Sequence, residues 1–232
     1  MTMAPKIKLY TNPLSPWSQR VHIALDELKL PYEQEIVDLT VPRTQDYLKL
    51  NPRGVIPTLI YDGEVITESA IIATFLADKS GATSSLLPVS TDEDGALLRA
   101  RIAFFVDTYV SRVSPIFMKI QRCKSAEERS AVLSEFVDEA AKQLDPLLED
   151  AAPFFGGSSN ITLAEALTAP FLLRAYLFPN NGLLPTSLLS DLSEKAPKFD
   201  KWAKATMKHP SVSDGIWDEE KIVANIKKRM GK

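Results

Sequence analysis

The sequence predicts a small α/β domain followed by an all-helical domain. Apolar residues alternate between strand and helix periods over residues 1–79, a segment rich in Ser, Gly and Thr interrupts the pattern over 80–90, and only helical periods follow over 91–232. A chain of 232 residues is long enough to bury a core in each of two domains. We therefore expect an N-terminal α/β domain, a linker and a C-terminal helical domain with these boundaries.

The first domain is predicted to have the element order βαβαββα. Two strands joined by a helix imply a parallel crossover, and Asp62-Gly63 is the dipeptide favoured in a two-residue hairpin turn. The last helix of this domain should end at Gly81. In chain order the predicted elements are a strand at 6–10, a helix at 16–29, a strand at 32–39, a short helix at 44–50, a hairpin at 57–67 and a helix at 68–81.

The second domain is predicted to contain only helices. Thr91 and the acidic residues after it are typical of the N-cap and first turn of a long helix, which Pro115 should kink. A second long helix follows. Thr162 and Glu165 form a capping box before an almost wholly apolar segment, and such a helix belongs in the centre of a bundle.

Composition excludes several classes of function. The formal net charge of -3 comes from interspersed acidic and basic residues, so no basic stripe predicts binding to nucleic acid. No apolar run has the length of a membrane span or a targeting segment, and we expect a cytoplasmic protein. With Cys123 as its single cysteine and only His22 and His209, the chain offers no disulfide, metal site or Ser/His triad.

Ser15 and Pro16 are typical of the start of a helix. Serine is a favoured N-cap residue and proline a favoured first helical residue, and this interpretation explains the pair completely. A helix N-terminus also attracts anions, through its unpaired N–H groups and the helix dipole. Both interpretations of Ser15 are open at this point.

Three further stretches of the first domain have both a structural and a functional interpretation. Ile56-Pro57 is either an ordinary trans proline at a strand start or a cis bond that leaves the Ile56 backbone free to pair with an extended peptide. Glu68 and Ser69 either cap a helix or hold the ammonium and carboxylate of a ligand. Arg43 is either a solvated charge or a clamp for a second carboxylate.

Taken together, these residues would recognise a small extended peptide with one ammonium and two carboxylates, and they would place its centre at Ser15. Glutathione has this layout. The chain also resembles a cytosolic glutathione transferase along nearly its whole length, in a set of segments that occur in the family's order. These segments are SPWSQRV, NPRGVIPTLI, GEVITESAIIATFLAD, ITLAEALTAPF and KWAKATMKHPSV.

The resemblance implies a thioredoxin-like N-terminal domain, an all-helical C-terminal domain and the transfer of glutathione to electrophiles. The chain is most similar to the omega class and its fungal relatives, but Ser15 occupies the position that often holds a catalytic cysteine. A cysteine would form a mixed disulfide with glutathione, whereas a serine can donate a hydrogen bond that favours the glutathione thiolate. Ser15 is therefore the expected catalytic residue, with glutathione as cosubstrate and no metal.

Carried over by position, the resemblance gives Ile56 and Pro57 the cysteinyl unit of glutathione, Glu68 and Ser69 the γ-glutamyl unit, and Arg43 the glycine carboxylate. It also implies a homodimer and a pocket for an aromatic or phenolic second substrate. The expected pocket residues, several of which have bundle core as their alternative, are Trp17, Phe105, Tyr109, Arg112 and Arg174.

The expected activity is conjugation of glutathione to small hydrophobic or aromatic electrophiles, a detoxification reaction, with peroxide reduction by the same thiolate as a further activity. The alternative is a binding protein of the ligandin type, which sequesters aromatic or phenolic metabolites and has weak catalysis. Fold alone does not separate the two, because function depends on the site.

Overall fold

The computed structural model describes residues 5–214 and 218–230. Its single described sheet has the strand order β2-β1-β3-β4, in which β1 and β2 are parallel and the other pairs are antiparallel. The strands are β1 (Ile7–Thr11), β2 (Glu33–Ile36), β3 (Thr58–Tyr61) and β4 (Glu64–Thr67).

Three helices complete the first part of the chain and confirm the predicted order βαβαββα. They are α1 (Pro16–Glu27), α2 (Gln45–Leu50) and α3 (Ser69–Ser80). The hairpin between β3 and β4 turns at Asp62 and Gly63, which both have positive φ, as the predicted two-residue turn requires. Gly81, with φ 55°, follows α3 as expected.

All described elements after residue 81 are helical, and the predicted fold class is thus confirmed. Among them α4 and α9 pack against α7, which is buried along almost its whole length. The α-helices of this part are α4 (Gly95–Thr108), α5 (Ser114–Lys119), α6 (Ala126–Gln143), α7 (Leu163–Asn180), α8 (Ser187–Lys195), α9 (Pro197–Met207), α10 (Pro210–Ser213) and α11 (Glu219–Arg229). None of the helices within the described ranges is long and apolar enough to cross a membrane.

The start of α4 differs from the sequence prediction. The helix begins at Gly95, and Thr91 does not cap it; Asp94 is the N-cap residue, with a left-handed backbone at φ 58°. Two tight turns precede the helix, and the N–H of Asp92 donates to the Val89 carbonyl oxygen. A Cβ at position 95 would lie 2.1 Å from that same oxygen. The chain therefore turns back on itself here, and only glycine fits the first helical position.

The distortion expected at Pro115 takes the form of a π-helical turn over Tyr109–Val113, between α4 and α5. Proline has no N–H to donate to the residue four positions earlier. The N–H of Ser114 donates instead to the carbonyl oxygen of Tyr109, five positions earlier. The helix therefore widens directly before the proline.

The capping box of α7 is confirmed and is part of a larger buried cluster. The Oε2 atom of Glu165 accepts hydrogen bonds from the Thr162 N–H at 2.8 Å and from the Thr162 hydroxyl at 2.7 Å. Its Oε1 atom accepts from the Phe155 N–H at 2.8 Å and from the Trp202 indole N–H at 2.5 Å. One carboxylate thus connects the start of α7 to α9 and to the loop before α7.

Candidate functional site

Ser15 lies at the N-terminus of α1 and is almost fully buried. Its Oγ accepts a hydrogen bond from the Ser18 N–H at 3.2 Å, and its own N–H donates to the Asn12 carbonyl oxygen at 3.0 Å. A hydroxyl has two acceptor lone pairs and one proton, so the cap bond leaves the proton for a further acceptor. The predicted cap is confirmed, and it is compatible with a second role as hydrogen-bond donor to an anion.

The Ile56–Pro57 peptide bond is cis. The sequence left this choice open. The described pairing of β3 begins at Thr58, one residue after the proline, so Ile56 precedes the ladder that joins β3 to β1 and β4. Its backbone groups therefore lie outside the sheet pairing, where an extended ligand could meet them.

Glu68 has an unusual backbone and does not cap α3. Its φ of 69° is rare for a residue with a side chain, and within the described part of the chain α3 has no side-chain cap. The Glu68 carboxylate forms an ion pair with Arg53 instead. Strained backbone of this kind clusters at functional sites. The capping alternative for Glu68 is thus not realised, and its role toward an ammonium stays a prediction.

Arg43 binds the protein backbone. Its Nε donates to the Gly54 carbonyl oxygen at 3.1 Å, and its Nη1 donates to the carbonyl oxygens of Asp38 at 2.7 Å and Val41 at 3.0 Å. These bonds hold the loop before α2 against the turn that precedes the cis proline. A role toward a carboxylate stays a prediction and rests on Nη2.

Arg20 is the site residue that the sequence interpretation missed. It is buried in α1, and its Nη1 donates to Ser69 Oγ at 3.4 Å. Its Nε and Nη2 have no hydrogen-bond partner among the described residues. Burial lowers the pKa of this guanidinium to about 10, so it remains a cation at neutral pH. Unpaired buried donors call for an acceptor, and Ser69 and the N-terminus of α3 lie beside them.

The signal for Arg20 comes from the structure and not from the sequence, because every residue of α1 from 18 to 25 is buried and a charged residue stands among them. A groove of about 560 Å³ between α3, α4 and α7 has Arg20 in its wall, together with Ala70 and Asp107. Ser15 is not among the described residues that line it. The groove therefore adjoins the Arg20–Ser69 pair and not the Ser15 hydroxyl.

Trp17 meets an aromatic residue of α7 at the start of α1. Its ring centroid lies 5.0 Å from that of Phe171 in an edge-to-face arrangement, and the Arg20 guanidinium carbon lies 4.5 Å from the Trp17 ring. Trp17 remains 37% exposed. It is thus positioned to contact a ligand as predicted, although that contact stays a prediction.

Three of the other predicted pocket residues differ in their exposure to solvent. Phe105 is fully buried between Phe155 and Trp202, so the structure places it in the bundle core and corrects its assignment to the pocket. Tyr109 is also buried, and burial raises the pKa of its hydroxyl. Arg112 is exposed. Helical spacing places residues on a common side, but it does not separate core from cleft.

Arg174 contacts the loop before α1. Its Nη1 donates to Gln19 Oε1 at 3.2 Å, and its Nη2 donates to the Leu14 carbonyl oxygen at 3.3 Å. The residue is only 8% exposed, and burial lowers the pKa of its guanidinium to about 9. Arg174 therefore lies at the junction of α7 with α1. Its predicted contact with a second substrate stays a prediction.

Neither histidine lies in an arrangement that suggests catalysis. His22 is buried between the hydroxyls of Thr11 and Tyr32, each 2.7 Å from a ring nitrogen, and burial lowers its pKa to about 4. His209 packs against Phe154. Among residues 5–214 and 218–230, no cluster of three or more His, Cys, Asp or Glu residues could hold a metal ion.

The four-stranded sheet and its three helices have the thioredoxin-like arrangement, and a helical bundle follows them. A serine at the start of α1, a cis proline before β3 and a Glu-Ser pair at the start of α3 are the features expected of a glutathione-binding protein. Comparisons with known proteins point to the same class. Residues 14–79 match the family model described as glutathione S-transferase, N-terminal domain. The chain is 30% identical over 215 residues to the probable glutathione S-transferase parC of Nicotiana tabacum. This match covers 92% of this chain and 90% of that protein. The chain belongs to the glutathione S-transferase family.

Two solved structures share the fold over nearly their whole length. Glutathione transferase Omega 2C from Trametes versicolor has a TM-score of 0.81 and 26% identity, and the match covers 98% of this chain and 99% of that one. Rice GST1 (OsGSTU1) in complex with glutathione also has a TM-score of 0.81, with 24% identity and coverage of 99% and 98%. The complete two-part architecture is therefore that of known glutathione transferases.

Proposed function

We propose that this protein conjugates glutathione to small hydrophobic or aromatic electrophiles and that Ser15 stabilises the glutathione thiolate. The geometry of Ser15 supports this proposal. Its oxygen accepts the hydrogen bond that caps α1, and its hydroxyl proton remains free to be donated to another acceptor. The thiol proton passes to solvent, the sulfur attacks the electrophilic carbon, and the leaving group departs with its electron pair. In a secondary activity the same thiolate attacks the terminal hydroperoxide oxygen, which breaks the O–O bond and releases the alcohol. A second glutathione then attacks the glutathione sulfenic acid, which gives glutathione disulfide and water.

The N-terminus of α1 adds to the effect of the hydroxyl. Its unpaired N–H groups and the helix dipole favour negative charge, so the thiolate is stabilised at the position where Ser15 donates. Serine has no sulfur, and no mixed disulfide forms at this position. The proposal therefore places the chain among serine-type relatives of the omega class, with conjugation in place of thiol transfer.

Recognition of glutathione is proposed to use five residues of the first domain. The γ-glutamyl unit carries an ammonium, for which the Oε2 atom of Glu68 is available while Arg53 pairs with Oε1. It also carries a carboxylate, for which Ser69 and the unpaired donors of Arg20 are available. The backbone of Ile56 pairs with the cysteinyl unit. Arg43 lies on the loop expected to meet the glycine carboxylate.

We also propose a first domain over 1–79, a linker over 80–90 and a second domain over 91–232.

We further propose that two copies of the chain associate through α3 and α4. Ile71 on α3 is 59% exposed, and Leu97 and Phe104, two turns apart on α4, are each 60% exposed. Exposed apolar side chains of this size are typical of an interface. Phe104→Glu should shift the protein toward monomer in sedimentation velocity, whereas Met118→Glu on α5 should not. A wild-type monomer contradicts this proposal.

The second candidate function is sequestration of aromatic or phenolic ligands. The observation that favours it is the half-exposed Trp17 ring, packed between Arg20 and Phe171, which offers an aromatic and cationic surface. Turnover of an aromatic halide with glutathione, measured beside a thermal-shift screen of phenols, separates the two functions. Conjugation that requires Ser15 supports the enzyme, and stabilisation by phenols without turnover supports the binding protein. A cytoplasmic location stays a prediction from the absence of a predicted targeting or membrane-spanning run in the sequence, and the single cysteine is consistent with it.

A further inference from the structure

The loop that carries Ser15 is held from two sides. On the sheet side, the Asn12 side chain accepts from the Leu14 N–H at 2.9 Å and donates to the Val37 carbonyl oxygen at 2.9 Å. The Asn12 carbonyl oxygen also accepts from the Ser15 N–H. On the bundle side, Arg174 of α7 donates to the Leu14 carbonyl oxygen. The Leu14–Ser15 peptide therefore has its oxygen bound by one domain and its N–H bound by the other.

Arg174 also contacts the first turn of α1. Its Nη1 donates both to Gln19 Oε1 and to the Pro170 carbonyl oxygen, the latter at 2.5 Å. Gln19 is fully buried, and the N–H of its backbone donates to the Ser15 carbonyl oxygen at 3.1 Å. The guanidinium thus reaches the residue before Ser15 and the residue whose backbone closes the first turn after it. A planar cation with several fixed donors is suited to such a junction.

We propose that Arg174 is a positioning residue for the conjugation reaction, which fixes the Leu14–Ser15 peptide against α7 and thereby sets the direction of the Ser15 hydroxyl. The proposal rests on the proposed role of Ser15. The hydroxyl must point to the sulfur with hydrogen-bond geometry, and a displacement of a fraction of an ångström weakens such a bond. A carbonyl bonded to a cation also polarises its peptide, which strengthens the bond from the Ser15 N–H to Asn12.

The test compares the pKa of the thiol of bound glutathione in four variants, followed by the ultraviolet absorbance of the thiolate against pH. Arg174→Met removes the donors at similar length, and Gln19→Leu removes one acceptor while leaving the guanidinium in place. Arg101→Met is the control, because the described contacts of Arg101 are an exposed ion pair with Asp150 and the ring of Phe155, and neither residue belongs to this junction. Ser15→Ala tests the proposed function itself.

We expect Arg174→Met to raise the pKa of the bound thiol by about half a unit to one unit, with a threefold to tenfold loss of kcat/KM at neutral pH that is recovered at high pH. Gln19→Leu should give a smaller change of the same sign, and it keeps the test valid if Arg174→Met does not fold. The dissociation constant of glutathione should change less than twofold in both, and Arg101→Met should match the wild type.

An unchanged thiol pKa in Arg174→Met and Gln19→Leu overturns the proposal. This result, combined with a higher KM for an anionic electrophile, would assign Arg174 to the substrate pocket. If Ser15→Ala raises the thiol pKa while the Arg174 and Gln19 variants do not, only the positioning role fails. If Ser15→Ala also leaves the thiol pKa unchanged, the proposed function of Ser15 fails with it.

Discussion

Replacing Glu165 with glutamine should destabilise the fold by about 2–4 kcal/mol. The glutamine side chain keeps one carbonyl oxygen, which can still accept from the Phe155 N–H and the Trp202 indole. Its NH₂ group replaces the Oε2 atom of Glu165 and cannot accept the hydrogen bond from the Thr162 N–H. A buried donor left without an acceptor costs about 1–3 kcal/mol. The two remaining bonds lose the charge that makes them about twice as strong as neutral bonds, which adds to this cost.

The matched control is Glu128→Gln. Glu128 occupies the same third position in α6, where its Oε2 accepts from the Lys124 N–H and its N–H donates to Ser125 Oγ, but this cap is exposed. Thermal unfolding should show Tm lowered by about 5–15 °C for Glu165→Gln, since about 2–4 °C accompanies each kcal/mol in a chain of this size. Glu128→Gln should stay within a few degrees of the wild type. Equal shifts for the two variants would refute the reasoning from burial.

Two further predictions concern glutathione and pH. Glu68→Ala should weaken glutathione binding about tenfold by calorimetry, because a half-exposed carboxylate loses a charge-assisted bond worth about 1.5 kcal/mol. His22 has a pKa of about 4 when folded and about 6.5 when unfolded, so protons bind the unfolded chain first and stability falls as pH drops from 6.5 toward 4. Between pH 7 and pH 5 the wild type should lose about 2 kcal/mol more than His22→Gln in urea unfolding.

Each of these two predictions has a clear contrary result. Glu64→Ala, on exposed β4, is the control for the glutathione measurement. Unchanged affinity in Glu68→Ala would remove Glu68 from the γ-glutamyl site. A loss of stability between pH 7 and pH 5 that is the same in the wild type and in His22→Gln would show that other groups cause the acid sensitivity.

Local patterns in the sequence predicted the elements because the physics of each is local. The Asp62-Gly63 turn, the end of α3 at Gly81 and the capping box at Thr162 depend on residues close along the chain, and all three are present. The N-cap at Thr91 failed because a contact with the Val89 carbonyl oxygen decides where the chain turns. No helix propensity records such a contact.

Sequence motifs predicted the parts of the site that depend on local backbone geometry. They did not predict side chains whose hydrogen-bond partners lie far away along the chain. Ser15 caps its helix as its neighbours predict. Arg174 selects an acceptor 160 positions away, and Arg20 an acceptor 49 positions away. Phe105 and Trp17 are both aromatic residues that the sequence places in the second-substrate pocket. Tertiary packing buries Phe105 and leaves Trp17 partly exposed, and the sequence alone does not show this difference.

The pH profile of conjugation in Ser15→Ala shows whether the Ser15 hydroxyl stabilises the glutathione thiolate. Thr44→Ala is the control, because it removes the N-cap hydroxyl of α2, which accepts from the Tyr47 N–H, and leaves α1 intact. We predict that Ser15→Ala raises the apparent pKa of bound glutathione and slows conjugation about 10-fold to 1,000-fold at neutral pH. Much of the rate should return at high pH with glutathione affinity nearly unchanged, and Ser15→Cys should gain thiol transfer through a mixed disulfide. If Ser15→Ala conjugates glutathione at the wild-type rate across the pH range, Ser15 is a helix cap only and does not stabilise the thiolate.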